Sequence, residues 1–81
     1  MTAFLPTLKQ LQYLTALHIH GHFGRAAEAC FVTQSTLSAG LAELESLLGV
    51  RLVERNRRVV RFTPMGERVV AKAYDVLREA D

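Results

Sequence analysis

Within six positions the sequence places Thr33, Gln34, Ser35, Thr36 and Ser38, five uncharged side chains that hydrogen bond. A hydroxyl bonds either a base edge or a phosphate oxygen, and a carboxamide such as that of Gln34 either pairs with adenine through two bonds or holds a phosphate. A second set is basic. Arg51, Arg55, Arg57, Arg58, Arg61 and Arg68 are opposed over their span only by Glu54 and Glu67. A guanidinium at a narrow turn enters a minor groove or neutralises phosphate. Both sets have a plainer reading: capping residues gather at any helix start, and a charged hairpin tip is an ordinary solvated surface.

Other reactive types do not assemble. His18 and His22 are four apart with Cys30 nearby, but zinc needs about four ligands in tetrahedral arrangement, and Gly21 interrupts the helix between the two histidines. We read His18, His20 and His22 as a polar helix end and turn, with no metal or other cofactor expected. Cys30 has no partner thiol and reads as a small packing residue. No nucleophile, base and orienting group occur together, and no glycine-rich phosphate loop is present. Catalysis is not expected.

The elements that must position the polar cluster follow from periodicity. Leu8, Leu11, Leu14 and Leu17, with Tyr13, predict an amphipathic helix over about 7–20, ended by Gly21. A second helix over about 23–30 is thin, with Ala26, Ala27 and Ala29, so a neighbour can approach closely. Leu37, Leu41, Leu44 and Leu48 define one face of a third helix, with Thr33 as N-cap and Gly49 as stop. The opposite side of this helix carries Ser35, Ala39 and Ala42, flanked by Thr36 and Ser38. These short side chains let a helix lie deep in a major groove, where alanine and threonine methyls meet the thymine methyl. Arg25, in the first turn of the second helix, either binds phosphate or pairs with an acidic neighbour.

After Gly49 the pattern becomes β-prone. Arg51–Arg55 and Val59–Phe62 predict two strands joined by the basic loop Asn56, Arg57 and Arg58, a wing. Thr63 and Pro64 then give an N-cap and a proline at the first helical position, opening a last helix to the end of the chain. Val69, Val70, Ala73, Tyr74, Leu77 and Ala80 form an apolar side expected to serve dimerisation. The fold class expected is mainly α: a winged helix-turn-helix of three helices plus a two-stranded wing, followed by a long linker helix.

Composition sets the outer bounds. A chain of 81 residues, 49% hydrophobic and 22% charged, fits a single core without an enzyme-sized cleft. The net charge of +2 is small, so the basic character is local to the wing. One cysteine excludes an internal disulfide and suits a reducing compartment. No apolar run approaches the roughly 20 residues of a membrane span, and a cytoplasmic location is expected.

The runs LKQLQYLTAL, HFGRAAEACFVTQSTLSAGLAELESLLGVRLVER and RFTPMGE resemble, in order and spacing over nearly the whole chain, the N-terminal DNA-binding domain of LysR-type transcriptional regulators. HFGRAAEAC and VTQSTLSAGLAELE resemble most the OxyR-type, peroxide-responsive activators. The family often has proline directly after the glutamine, where this chain has Ser35; the difference concerns the local contact and leaves the fold unaffected.

The resemblance implies a helix-turn-helix over 23–42, with Gln34, Ser35 and Ser38 facing the groove and Arg57 as the wing contact. It also implies a homodimer through the C-terminal helix on a promoter or operator with two half-sites, and a tetramer in the full-length protein. Family members continue into a periplasmic-binding-protein-like effector domain, which is expected to be absent from this chain. The peroxide-reactive cysteines of OxyR-type regulators lie in that effector domain, so Cys30 does not inherit their role. The competing readings are a LysR-type regulator of another signal and a winged-helix protein–protein interaction module, the latter having no need of a basic wing and a polar helix start together. A MarR-like repressor shares the winged fold, but its pattern does not account for this order of helices and linker.

Overall fold

Among the described residues, four helices and one hairpin follow in the order α1 (Leu8–His20), α2 (Phe23–Ala29), α3 (Gln34–Leu48), β1 (Val53–Glu54), β2 (Arg61–Phe62) and α4 (Pro64–Ala80). The structure is a computed structural model that describes residues 5–54 and 59–80, without the side chain of Ala80. Arg55, Asn56, Arg57 and Arg58 therefore lie outside the described residues.

The helix ends are set by local chemistry. Thr7 caps α1 in a capping box with Gln10: the Gln10 N–H donates to Thr7 Oγ1 at 3.1 Å, and the Thr7 N–H donates to Gln10 Oε1 at 3.0 Å. Thr33 caps α3 by accepting from the Thr36 N–H at 3.1 Å. Gly21 ends α1, and Gly49 ends α3 at φ 72°, a left-handed conformation that costs a residue with a Cβ. The turn between α2 and α3 closes differently. The Val32 N–H donates to Ala27 O and the Phe31 N–H to Glu28 O, the paired bonds of a Schellman motif. The left-handed position in that motif, φ 60°, is held by Phe31.

The central helix is α1, which packs against α2, α3 and α4. Four leucines three apart wrap around a helix, because each step of three falls about 60° short of a full turn. Leu11, Leu14 and Leu17 are buried, as are Tyr13, Thr15 and Ala16, whereas Leu8 at the start of the stripe is 51% exposed. Ala26 and Ala27 are buried and let α2 lie close to its neighbours; Leu37, Leu41 and Leu44 bring in α3. Leu52, Val53, Val70 and Ala73 complete the core.

The wing is an antiparallel pair with Val53 opposite Phe62 and Glu54 opposite Arg61. Among the described residues the strands cover part of the expected Arg51–Arg55 and Val59–Phe62, and on the α4 side the Thr63 N–H to Leu52 O bond continues their register while the Leu52 N–H turns to α3. Glu45 of α3 accepts from the N–H groups of Leu52 (2.8 Å) and Val53 (3.2 Å). On the other side Thr63 takes the carbonyls: its N–H donates to Leu52 O at 2.9 Å and its hydroxyl to Arg51 O at 2.6 Å. Thr63 Oγ1 also accepts from the Gly66 N–H at 2.9 Å, which starts α4. The first turn of α4 sits so close to the wing that a Cβ on Gly66 would lie 2.0 Å from Leu52 O.

Among the described residues, no helix is long and apolar enough to cross a membrane.

Candidate nucleic-acid interface

The polar cluster is brought to the outer face of α3. Burying Leu37, Leu41 and Leu44 turns Gln34, Ser35, Thr36, Ala39 and Ala42 outward, with Ser38 half-exposed at the flank. The sequence reading assigned this register from periodicity, and the burial pattern agrees with it. The hydroxyls do not all have the same freedom. Thr33 Oγ1 is committed to the cap, donates to Thr36 Oγ1 at 2.9 Å and lies 3.3 Å from Ser35 Oγ. Thr33 therefore organises its neighbours, while Thr36 can direct its own proton outward.

The charge pattern adds a feature that the motif alone does not stress. No Lys, Arg or His occurs between Arg25 and Arg51, so α3 carries only the acids Glu43 and Glu45. The exposed cations around it belong to other elements: Arg25 in the first turn of α2, Arg51 before β1, Arg61 on β2 and Lys9 on α1, which lines a pocket with Thr36, Ala39 and Glu43 of α3. Arg25 has no acidic partner among the described residues. Its own backbone N–H donates to His22 Nδ1 at 3.2 Å, so the His22 ring caps α2. Arg57 and Arg58, expected at the wing tip, fall outside the described residues.

The remaining candidates separate. His18, at the end of α1, points to α4 rather than to His22, and among the described residues no group of three metal-binding side chains is assembled. Cys30 is half-buried beside the core, and burial pushes its thiol pKa up, which lowers its thiolate fraction at neutral pH.

The apolar side expected for dimerisation is distributed differently. Val70 (2% exposed) and Ala73 (1%) are spent on the core of their own chain, and Val69, Tyr74 and Leu77 pack half-buried against it. The reason is that α4 runs along α1 and supplies the fourth wall of the core. Ala80 lies in α4, but its side chain is outside the described residues. The face left open is adjacent: Met65, Val69 and Val76, with Pro6, Leu11 and Leu48, line a shallow groove of about 390 Å³. Leu48 had been read only as core, and Met65 and Val76 had not been singled out.

Residues 8–67 match the family model described as bacterial regulatory helix-turn-helix protein, lysR family. The regulator EstR of Acinetobacter baylyi is 58% identical over 78 residues, which are 96% of this chain and 26% of EstR. A full-length OxyR variant from Pseudomonas aeruginosa superposes with a TM-score of 0.90 at 50% identity, covering 94% of this chain and 26% of that one. The DNA-binding domain of BenM, solved in complex with the catB site 1 DNA, superposes with a TM-score of 0.88 at 33% identity over 93% of this chain and 81% of that one. The chain spans about a quarter of the length of the curated relatives it matches.

Proposed function

The chain belongs to the LysR family of bacterial helix-turn-helix regulators and carries its DNA-binding domain, and from that premise we propose that it reads an operator of two half-sites as a homodimer. The supporting observation is the outer face of α3, made of short, uncharged side chains, with the exposed cations on other elements. Gln34, Ser35, Thr36 and Ser38 face the base edges and Thr33 holds them in place. Arg25 grips a phosphate of the flanking backbone. Arg57 and Arg58, on the chain between β1 and β2, reach the neighbouring minor groove. The unit so defined is a winged helix-turn-helix over about 7–63, with its helix-turn-helix at 23–42 and wing at about 51–62, and a linker helix over 64–81.

This face selects for A·T pairs. Guanine is most often read by Arg or Lys, which α3 lacks, whereas Gln pairs with adenine and methyl groups meet thymine. Selection of bound duplexes from a random pool is expected to return A·T-rich half-site positions under α3. Gln34→Ala is expected to relax one such position at a cost of about 1–3 kcal/mol. Guanine-rich selected half-sites, or a Gln34→Ala pool identical to that of the native chain, would overturn the assignment.

The second copy seats on the groove of Met65, Val69, Val76 and Leu48, which continues along the outer side of α4. In the full-length protein, with an effector domain beyond α4, these dimers pair into tetramers. The regulator is cytoplasmic, non-enzymatic, independent of a cofactor in this domain, and an activator of the OxyR oxidative-stress type, supported by the likeness to OxyR. The 58% identity to EstR favours a second reading, a LysR-type regulator of another signal. Operator footprints of the full-length protein with and without hydrogen peroxide separate the two: a peroxide-dependent change of footprint supports the first, and an unchanged footprint the second.

A further inference from the structure

His18 closes a junction of three elements. Its Nδ1 is 3.0 Å from the Tyr74 hydroxyl and its Nε2 is 3.2 Å from Glu67 Oε1, both on α4. The ring meets Phe62 of β2 edge to face, with centroids 5.0 Å apart at 83°. A carboxylate only accepts, so Nε2–H donates to Glu67, and in the neutral ring Nδ1 is then the acceptor for the tyrosine hydroxyl. Burial, then the nearby Glu67 charge, raises the Tyr74 pKa, which keeps that hydroxyl a donor.

Glu67 and Tyr74 are seven residues apart, about 10 Å along the helix axis. One imidazole therefore holds α4 at two heights, while Phe62 fixes the plane of the ring. The apolar contacts of Val70 and Ala73 with the core are non-directional, whereas the two hydrogen bonds, although exposed to solvent, are directional and oppose a swing. A helix of 17 residues is about 25 Å long, so a swing of roughly 10° at its base moves its far end by about 4 Å. That displacement is comparable to the step between base pairs, about 3.4 Å.

We propose that His18 is a positioning residue for operator binding: through Glu67 and Tyr74 it fixes the angle at which α4 leaves the winged helix, and so the separation of the two recognition helices across the dimer axis. The inference rests on the reading that α4 pairs two copies. It makes half-site spacing, and not affinity for one half-site, the property that His18 controls.

The test measures binding to duplexes whose two half-sites are moved apart or together one base pair at a time, alongside a duplex with a single half-site. The native chain is expected to show a sharp optimum. Tyr74→Phe, which removes one oxygen and keeps the ring, and His18→Ala are expected to lower the penalty for one base pair of misspacing at least threefold, with single half-site affinity kept within twofold. Thermal melting of each variant confirms that it is folded at the assay temperature. A sharp native optimum left unchanged by both variants overturns this inference alone. A native curve without an optimum overturns the dimer reading, and this inference with it.

Discussion

At the scale of single residues, Phe31 is the position where local conformation and side chain disagree most. It holds φ 60° in the turn between α2 and α3 and is 95% exposed, so its ring is not repaid by packing. Left-handed backbone costs an L-residue roughly 1–2 kcal/mol, of which up to about 1 kcal/mol would be offset by the extra unfolded-state entropy of glycine. Phe31→Gly is accordingly expected to leave stability unchanged or raise it by about 1 kcal/mol, read from urea unfolding midpoints. A loss above that amount would mean that the exposed ring makes contacts that hold the turn. The hydroxyl cluster behaves oppositely: Thr33 caps α3 and holds the hydroxyls of Ser35 and Thr36 beside it.

At the scale of elements, the wing is held as much by the helices on either side of it as by its own ladder. A two-stranded hairpin is marginal alone, and among the described residues this one pairs Val53 with Phe62 and Glu54 with Arg61. Glu45 ties it to α3 and Thr63 ties it to α4, so the recognition helix and the wing move as one body. Glu45→Gln exchanges charge-assisted bonds for neutral ones and is expected to cost about 1 kcal/mol, with faster hydrogen exchange at the Leu52 and Val53 amides. Unchanged exchange at both amides would remove the tie. Gly66→Ala is the harsher test of the same junction, because the added Cβ would lie 2.0 Å from a backbone carbonyl that Thr63 already holds. Its expected cost is at or above the top of the about 1–3 kcal/mol range for overpacking.

At the scale of the whole molecule, α4 serves two surfaces. Its inner side closes the core with Val70 and Ala73, and its outer side leaves Met65 and Val76 exposed beside Leu48. Val76, 44% exposed, is the position to challenge, since Leu77 packs half-buried against its own core and a charge there would unfold as well as separate. Val76→Glu is expected to give a folded monomer that keeps single half-site binding and loses the tighter binding to a two-half-site duplex, measured by analytical ultracentrifugation with and without that duplex. A variant that still dimerises on DNA would place the interface elsewhere. On the proposed two-fold interface the substitution would enter twice, once from each copy.

The helix boundaries and the buried side of α3 were legible because they depend on neighbours in sequence. Thr7 with Gln10, Thr33 with Thr36, and the left-handed Gly49 are contacts within a turn, and the leucines of α3 repeat at the period of one helix. What α4 buries was not legible, since its apolar residues cover more than one side and only the path of α1, far earlier in the chain, selects between them. The same holds for the wing, where Glu45, from a helix that precedes it, takes the N–H of Leu52. His18 is the clearest case: in sequence it is one of three polar histidines near a turn, while its partners Glu67 and Tyr74 lie 49 and 56 positions away. Local caps and periods are written in adjacent residues, whereas the choice among equally apolar or equally polar side chains is made by which distant element arrives to meet them.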